Sequence, residues 1–312
     1  MRPRGEYERP VSFFDAVGRK LGFFLFIAVI WKAGTNTLQL DQGVVMGILN
    51  VTPDSFSDGG RYLAVDQALS RARTMIAEGA GIIDVGGEST RPGASPVTVS
   101  EELARTIPVI EGLRSEWAGL ISIDTSKAAV AEQALGAGAD IVNDVSGLRA
   151  DERMLEVCGT AGCGIVVMHM QGQPRTMQTD PNYVDVRAEV RDFFEERFLT
   201  LTTSGIDAES LVFDPGIGFG KNLGHNLSLL SGLEKLAVRG RPLLIGISRK
   251  SFLGKVLDDD SPDLREWSTV ALTAASRMQG VLLHRVHSVK GNSDALRVVE
   301  AVLASGGGTQ TM

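Results

Sequence analysis

The amino-acid sequence predicts an α/β protein whose eight parallel strands close into a single (β/α)8 TIM barrel with an N-terminal extension. Short apolar runs rich in β-branched residues recur along the chain from Val44 onward, and segments with helical periodicity lie between them. Glycine follows several of these helical segments just before the next strand, as is common in α/β units. Because the strand runs are apolar without alternation, we expect a parallel sheet that is buried on both faces.

The predicted strands number eight, which is the number that closes a parallel barrel. They are residues 44–49, 82–85, 121–123, 141–142, 165–168, 211–213, 243–247 and 281–286. The clearest helical pattern runs from Val186 to Leu201, with apolar residues three and four positions apart. An open, doubly wound sheet is the alternative arrangement. The glycine-rich residues 216–221 (GIGFGK) match neither nucleotide-binding glycine motif, so they do not support it.

The length of 312 residues is compatible with one barrel domain and an additional segment. We predict a barrel over residues 34–308 and an extension with no assigned role over residues 1–33. The extension contains the apolar run 21–31 (LGFFLFIAVIW), whose eleven residues are fewer than the number, about 20, that a bilayer-spanning helix needs. Acidic residues before the run and the lack of an A-x-A pattern after it argue against a secretory signal.

Composition and charge restrict the partners that the protein can have. Hydrophobic residues make up 43% and charged residues 22% of the chain, as in ordinary soluble proteins. The formal net charge is −7 without a long basic run, which argues against a nucleic-acid or anionic-membrane partner held by bulk charge. The short apolar run argues against stable membrane insertion. Cys158 and Cys163 are too few for a disulfide framework and lack metal-site spacing, so we expect buried thiols in a reducing cytoplasm.

Polar residues stand near the carboxyl end of every predicted strand. In an α/β barrel these ends form one rim, and the rim holds the active site. The residues are Asn50, Asp84, Asp124, Asn143, His169, Asp214, Ser248 with Arg249 and Lys250, and Arg285 with His287. One polar strand end is ordinary, because strands must exit to water. Eight on the same rim predict a functional site.

One group of rim residues suits a flat heterocycle that has adjacent N–H donors and a carbonyl acceptor. The group offers carboxylates, an amide and an amine: Asp124, Asn143, Asp214 and Lys250. Buried carboxylates need partners, and paired N–H groups of a ligand can supply them. A structural ion pair with the aspartates is the alternative for Lys250.

A second group suits a pyrophosphate and a Mg²⁺ ion. It has two guanidinium groups, an imidazole and two oxygen donors: Arg91, Arg285, His287, Asn50 and Asp84. For Arg285 too, an ion pair with the aspartates is the alternative. The segments 50–61 and 86–96 are rich in Gly, Pro, Ser and Asp, which is typical of loops that close over a substrate.

Eight segments, in order from about Thr37 to the C-terminal helix, resemble the dihydropteroate synthases. They are VMGILNVTPDSFSDGG (45–60), IIDVGGESTRPGA (82–94), SIDTSK (122–127), IVNDVSG (141–147), VMHMQGQPRTMQ (167–178), FDPGIGFGKN (213–222), GISRKSFLG (246–254) and RVH (285–287). The resemblance implies a folate-pathway transferase that condenses 6-hydroxymethyl-7,8-dihydropterin pyrophosphate with para-aminobenzoate. It also implies Mg²⁺ as cofactor, a homodimer, sensitivity to sulfonamides and an SN1-like substitution in which pyrophosphate leaves first.

The resemblance also implies a role for each matching residue. The pterin-binding residues are Asp124, Asn143, Met168, Asp214, Phe219, Lys250 and Arg285. The aminobenzoate-binding residues are Phe56, Ser89, Thr90, Pro92 and Ser248. The catalytic and pyrophosphate-binding residues are Arg91, Lys250, Arg285, His287 and Asp84, and Asn50 is the metal ligand.

Two features depart from the family pattern. The family usually has an acidic residue after RVH, whereas Ser288 follows His287 here, and the apolar extension has no counterpart. Two other functions remain open: a pterin-binding methyltransferase domain that serves a corrinoid protein, and a catalytically silent paralogue. The NVTPDSF and STRPGA loops favour pyrophosphate chemistry over the first. The retained strand-end residues argue against the second.

Overall fold

The computed structural model consists of a parallel barrel whose N-terminal end is closed by a β-hairpin. It describes residues 29–52, 61–89, 95–173, 176–259 and 261–306. The hairpin pairs β1 (Val29–Ala33) with β2 (Asn36–Leu40) in antiparallel register.

Eight parallel strands form the barrel. They are β3 (Val44–Asn50), β4 (Ile82–Gly86), β5 (Leu120–Asp124), β6 (Ile141–Asp144), β7 (Gly164–Met168), β8 (Leu211–Asp214), β9 (Leu244–Ile245) and β10 (Leu283–Val286). The hydrogen-bonded order is β8-β7-β6-β5-β4-β3-β10-β9. A parallel bridge between Phe213 and Leu243 joins the two edges, so the barrel closes. The predicted barrel is confirmed, and the open sheet is excluded.

Helices cover the outside of the barrel. In the described residues they are α1 (Arg61–Ala77), α2 (Val99–Glu116), α3 (Ala128–Gly136), α4 (Met154–Ala161), α5 (Val186–Thr203), α6 (Leu223–Leu230), α7 (Ser251–Leu257), α8 (Pro262–Met278) and α9 (Val289–Gly306). The apolar periodicity that predicted α5 is confirmed, because Val190, Phe194 and Leu201 are buried against the strands. A capping box of Thr98 and Glu101 begins α2, a device that contributes about 1 kcal/mol to helix stability.

The strand sequences do not alternate between apolar and polar residues, because each face of the sheet is buried in its own hydrophobic core. Outward residues such as Ile83 and Val142 pack under the helices. Their neighbours Ile82 and Ile141 point into the barrel and form a second core with the hairpin.

The hairpin corrects the predicted boundary between extension and barrel. Trp31, Ala33 and Leu40 are buried among the inward residues of the barrel strands, and Trp31 Nε1 donates a hydrogen bond to the Ser210 carbonyl at 2.9 Å. Residues 29–33 therefore pack with the barrel, because the apolar lower part of its interior must be covered. Residues 1–28 lie outside the described residues. None of the described helices has the length and hydrophobicity that spanning a membrane requires.

Cys158 on α4 and Cys163 before β7 are buried and carry free thiols. The Cys163 thiol contacts the Cys158 carbonyl oxygen at 3.9 Å. Both side chains belong to the core beneath the helices. The prediction of buried, unpaired thiols is confirmed.

Candidate active site

The inner face of the barrel changes from apolar to polar along the strands. Side chains on one face of a strand recur every second residue. On β5 the inward positions are Leu120, Ser122 and Asp124, and on β8 they are Val212 and Asp214. The apolar positions pack on the hairpin, so the polar positions form the floor of a site at the C-terminal end of the barrel.

Arg285 lies at the centre of this floor between two aspartates. Its Nε donates to Asp84 Oδ2 at 2.6 Å, and its Nη2 donates to Asp124 Oδ2 at 2.5 Å. Asn143 Nδ2 donates to Asp84 Oδ2 at 3.2 Å, so one network joins β4, β5, β6 and β10. Burial disfavours the charged guanidinium, but Asp84 and Asp124 outweigh it and raise the pKa of Arg285. The alternative of an ion pair with the aspartates is therefore confirmed for Arg285.

The floor contains more buried carboxylates than cations. Asp84, Asp124 and Asp214 face Arg285 and Lys250. Burial raises the pKa of Asp124 to about 7 although Arg285 opposes this shift, and burial also raises the pKa of Asp214. Burial lowers the pKa of Lys250 to about 8, and Arg285 adds to this effect. A ligand that donates hydrogen bonds to these carboxylates would stabilise their charged forms.

Asp214 and Lys250 each have a defined position above the floor. Asp214 Oδ1 accepts the N–H of Gly216 at 2.7 Å. A Cβ atom on Gly246 would lie 3.7 Å from Asp214 Oδ2, so the glycine leaves room beside this oxygen. The Lys250 ammonium stands over the ring of Phe219, 3.9 Å from its centroid. Lys250 is thus placed against an aromatic face, and the charges of Asp214 and Asp124 act on it without an ion-pair contact among the described residues.

An apolar cluster forms one wall of the site, separate from the two cores. It consists of Val145, Met168, Met170, Met177 and Phe219. Met168 and Asp214 are register partners on β7 and β8, so the wall meets the polar floor directly. An apolar wall beside carboxylates suits a flat heterocycle with polar edges. Met168 and Phe219 were predicted from sequence, and the structure adds the other three residues.

Ser248 and His287 form a second corner of the site. His287 Nδ1 lies 3.0 Å from Ser248 Oγ, and the His287 backbone N–H donates to the same oxygen at 3.1 Å. The buried Ser248 hydroxyl therefore links the segment that follows β9 to the segment that follows β10. The sequence prediction assigned these residues to different ligands, and the structure brings them into contact.

The oxygen donors predicted for Mg²⁺ lie at the ends of β3 and β4. Asn50 is paired in register with Gly86, whose added Cβ would lie 3.4 Å from Asn50 Oδ1. Asp84 Oδ1 is buried and accepts no hydrogen bond from the described residues. The described residues contain no group of three or more His, Cys, Asp or Glu side chains that could hold a metal. Asn50 and the unpartnered Asp84 Oδ1 are the oxygen donors available to a Mg²⁺ ion, which usually takes its other ligands from water and substrate phosphates.

Part of the predicted aminobenzoate and pyrophosphate sites cannot be placed in the structure. Phe56, Thr90, Arg91 and Pro92 lie outside the described residues. Ser89 is half-buried in the chain that follows β4. The roles assigned to these residues stay predictions.

The family model for pterin binding enzymes matches residues 46–287. The dihydropteroate synthase of Escherichia coli K12 is 47% identical over 276 residues, which cover 88% of this chain and 97% of that protein. The crystal structure of Yersinia pestis dihydropteroate synthase with a sulfonamide drug complex has a TM-score of 0.83 at 44% identity, covering 88% of this chain and all of that one. The chain belongs to the dihydropteroate synthase family.

As a dihydropteroate synthase, the chain is a transferase of the folate pathway. The likeness covers barrel and rim together, which favours this function over a methyltransferase domain or a silent paralogue. Two related crystal structures contain ligands of the reaction. The Xanthomonas albilineans enzyme with 4-aminobenzoic acid has a TM-score of 0.83 at 42% identity, covering 89% of this chain and 99% of that one. The Burkholderia cenocepacia enzyme complexed with 7,8-dihydropteroate has a TM-score of 0.81 at 42% identity, covering 89% and 97%.

One buried charged residue of this dihydropteroate synthase was missed by the sequence interpretation. Lys221 is enclosed beside the apolar wall, and its ammonium contacts His169 and the turn that carries Phe219. Residues 216–221 do not match the nucleotide-binding motifs, and of these residues the resemblance of segment 213–222 to the family gave a role to Phe219 alone. A lysine within a glycine-rich segment was the available signal, but only the fold shows that its side chain turns inward.

Proposed function

We propose that the chain condenses 6-hydroxymethyl-7,8-dihydropterin pyrophosphate with para-aminobenzoate to give 7,8-dihydropteroate and pyrophosphate. The observation that carries this proposal is the polar floor of buried carboxylates beside an apolar wall, within a dihydropteroate synthase barrel. The aminobenzoate and dihydropteroate found in the related crystal structures are flat rings with polar edges. Such rings fit a site with one apolar wall and one polar floor.

The pterin ring would stand on the floor with its face against the apolar wall. Asp214 accepts the paired N–H donors of the ring, and Gly246 leaves space for them. The other residues proposed to bind the ring are Asp124, Asn143, Lys250, Met168 and Phe219. Arg285 contributes mainly by holding the Asp124 carboxylate in place.

The pyrophosphate would leave on the side of the rim formed by the second group of residues. Guanidinium and imidazole N–H groups donate to the leaving oxygens as their negative charge develops, which stabilises the transition state. These donors are Arg91, Arg285 and His287, with the Lys250 ammonium nearby. A bound Mg²⁺ would be held by Asn50 and Asp84 and would supply further positive charge to the same oxygens.

The substitution would follow an SN1-like order. The bond between the pterin methylene carbon and the pyrophosphate oxygen breaks first, and its electron pair leaves with the oxygen. The buried carboxylates of Asp124 and Asp214 stabilise the resulting cation. The aniline nitrogen then donates its lone pair to the methylene carbon and loses a proton to water or to the departing pyrophosphate. Phe56, Ser89, Thr90, Pro92 and Ser248 would hold the aminobenzoate for this attack.

A turnover assay tests the proposed function and its order together. The protein should form dihydropteroate and pyrophosphate in equal amounts when both substrates and Mg²⁺ are present. Without aminobenzoate, slow release of pyrophosphate is expected, because the bond to pyrophosphate breaks first. A sulfonamide presents the same aniline ring and should compete with aminobenzoate in steady-state kinetics. Absence of turnover would refute the function, and inhibition that excess aminobenzoate does not relieve would refute the aminobenzoate site.

The pH dependence of pterin binding should be bell-shaped. Asp124 must lose its proton to accept N–H donors, so affinity should rise as the pH passes the Asp124 pKa of about 7. Lys250 must keep its proton to donate, so affinity should fall as the pH passes its pKa of about 8. Calorimetric titration with a pterin that lacks the pyrophosphate measures both limbs. Asp124→Asn should remove the contribution of Asp124 to the acid limb, and it should move the alkaline limb to lower pH because the Asp124 charge raises the pKa of Lys250. An unchanged acid limb in this variant would contradict the assignment.

We also propose a cytoplasmic homodimer that associates through the last helices of the chain. Large apolar side chains are exposed there, including Val256, Trp267 and Val298, and Trp267 is 75% exposed. Exposed apolar patches on a soluble domain mark interaction surfaces. Sedimentation equilibrium should show a dimer that Trp267→Glu converts to a monomer. A monomeric unsubstituted protein would contradict the dimer.

A further inference from the structure

Lys221 is a buried lysine whose partners, among the described residues, are neutral groups. Its side chain is 2% exposed. The ammonium lies 3.0 Å from His169 Nδ1 and donates to the carbonyl oxygens of Gly216 and Phe219, each at 3.0 Å. The carbonyl oxygen of His169 is at 3.4 Å. Three N–H donors thus meet four acceptors, which is an arrangement built around a single ammonium group.

The histidine that faces this lysine is held in its neutral form. Burial lowers the pKa of His169 to about 2, and the nearby Lys221 charge adds to this effect. A neutral imidazole next to an ammonium must accept at Nδ1, so its proton lies on Nε2. Burial lowers the pKa of Lys221 itself to about 7, and Asp214 opposes this shift.

Glycines allow the segment 216–221 to fold around the ammonium. Gly216, Gly218 and Gly220 have left-handed φ angles of 64°, 81° and 62°. An added Cβ on Gly216 would lie 1.9 Å from the His169 carbonyl oxygen, and one on Gly220 would lie 2.4 Å from that of Gln171. The segment therefore packs directly against the chain that follows β7.

The contacts of Lys221 connect the two side chains that would hold the pterin ring. Met168 directly precedes His169, and Phe219 is two residues before Lys221 in the same turn. The ring of Phe219 in turn lies against the Lys250 ammonium. The position of Phe219 relative to Met168 and Lys250 therefore depends on the contacts that the Lys221 ammonium makes.

We propose that Lys221 is a positioning residue that sets the spacing of Met168 and Phe219 and thereby shapes the slot for the pterin ring. The proposal rests on the pterin site of the proposed function. A lysine that merely stabilised the fold would affect both substrates alike. A positioning role through Phe219 affects the pterin and leaves the aminobenzoate largely unaffected.

A double-mutant cycle with Phe219 tests this proposal. Lys221→Met keeps the length of the side chain and removes its donors, and it should raise the pterin Kd about tenfold in calorimetry. The KM for aminobenzoate should change by less than about twofold. When Phe219 is already alanine, Lys221→Met should have almost no further effect on the pterin Kd, because the side chain that Lys221 is proposed to position is absent. Lys235→Met, at an exposed lysine, is the matched control and should change nothing.

Two results would overturn the positioning role: fully additive effects of Lys221→Met and Phe219→Ala, or a parallel rise in the aminobenzoate KM. If Lys221→Met does not fold, His169 supplies a second pair of variants. His169→Asn keeps an acceptor for the ammonium and should retain pterin binding, whereas His169→Leu should weaken it. Equal weakening by both would also overturn the proposal. Failure of the unsubstituted protein to bind pterin would instead refute the proposed function.

Discussion

Replacing Arg285 by methionine should destabilise the protein by about 3–5 kcal/mol and abolish measurable turnover. The guanidinium is the shared partner of Asp84 and Asp124, at 2.6 and 2.5 Å. Asp84 is fully buried and Asp124 nearly so, so both carboxylates would lose their cation without gaining water. Unfolding in urea measures the loss of stability, and the turnover assay measures the loss of activity.

Two further variants separate ion pairing from side-chain size. Arg249→Met removes an exposed guanidinium that pairs with Glu266 at 3.2 Å, and a surface pair of this kind is worth about 0–1 kcal/mol. Adding Asp124→Asn to Arg285→Met should restore part of the lost stability, because one uncompensated charge disappears, but none of the turnover. Equal unfolding midpoints for Arg285→Met and Arg249→Met would show that the buried network is not what stabilises the floor.

Asp214→Asn should weaken pterin binding by about 2–3 kcal/mol, the scale for leaving a buried, charge-assisted hydrogen bond unmade. The asparagine oxygen can keep the hydrogen bond from the Gly216 N–H, which Asp214 Oδ1 accepts at 2.7 Å. The new amide group then replaces Oδ2 and turns N–H donors toward the N–H donors of the pterin. Because the backbone contact is retained, the stability of the fold should change much less than the affinity.

Calorimetry with a pterin lacking the pyrophosphate measures this effect without turnover. Asp207→Asn is the matched control, since Asp207 lies at the opposite end of the barrel and pairs with Lys32 at 2.8 Å. It should leave the pterin Kd unchanged. An unaltered Kd in Asp214→Asn would remove Asp214 from the pterin site and with it the proposed orientation of the ring.

Local patterns in the sequence were sufficient to predict the barrel and the polar residues at the carboxyl ends of its strands. Strands buried on both faces have an apolar run as their signature, and each of the eight predicted runs overlaps an observed strand. Among the polar residues near the ends of these runs, the structure buries Asp124, Asn143 and Asp214 at the floor. Such predictions succeed because the ends of strands, and the faces to which successive side chains point, depend on residues that are close in the sequence.

The remaining features required the tertiary structure, because they depend on contacts between distant parts of the chain. Trp31 is buried among the inward residues of the barrel and bonds to Ser210, 179 residues away. The boundary between extension and barrel within the apolar run before residue 34 therefore could not be located from composition. The sequence left open whether Arg285 pairs with the aspartates, and only the closed barrel shows it between Asp84 and Asp124. In the sequence, Lys221 cannot be distinguished from a surface lysine in a glycine-rich loop. Only the fold shows that this loop packs against His169. The electrostatics of the site depend on which charges are buried and how they pair, and both are set only when the barrel is packed.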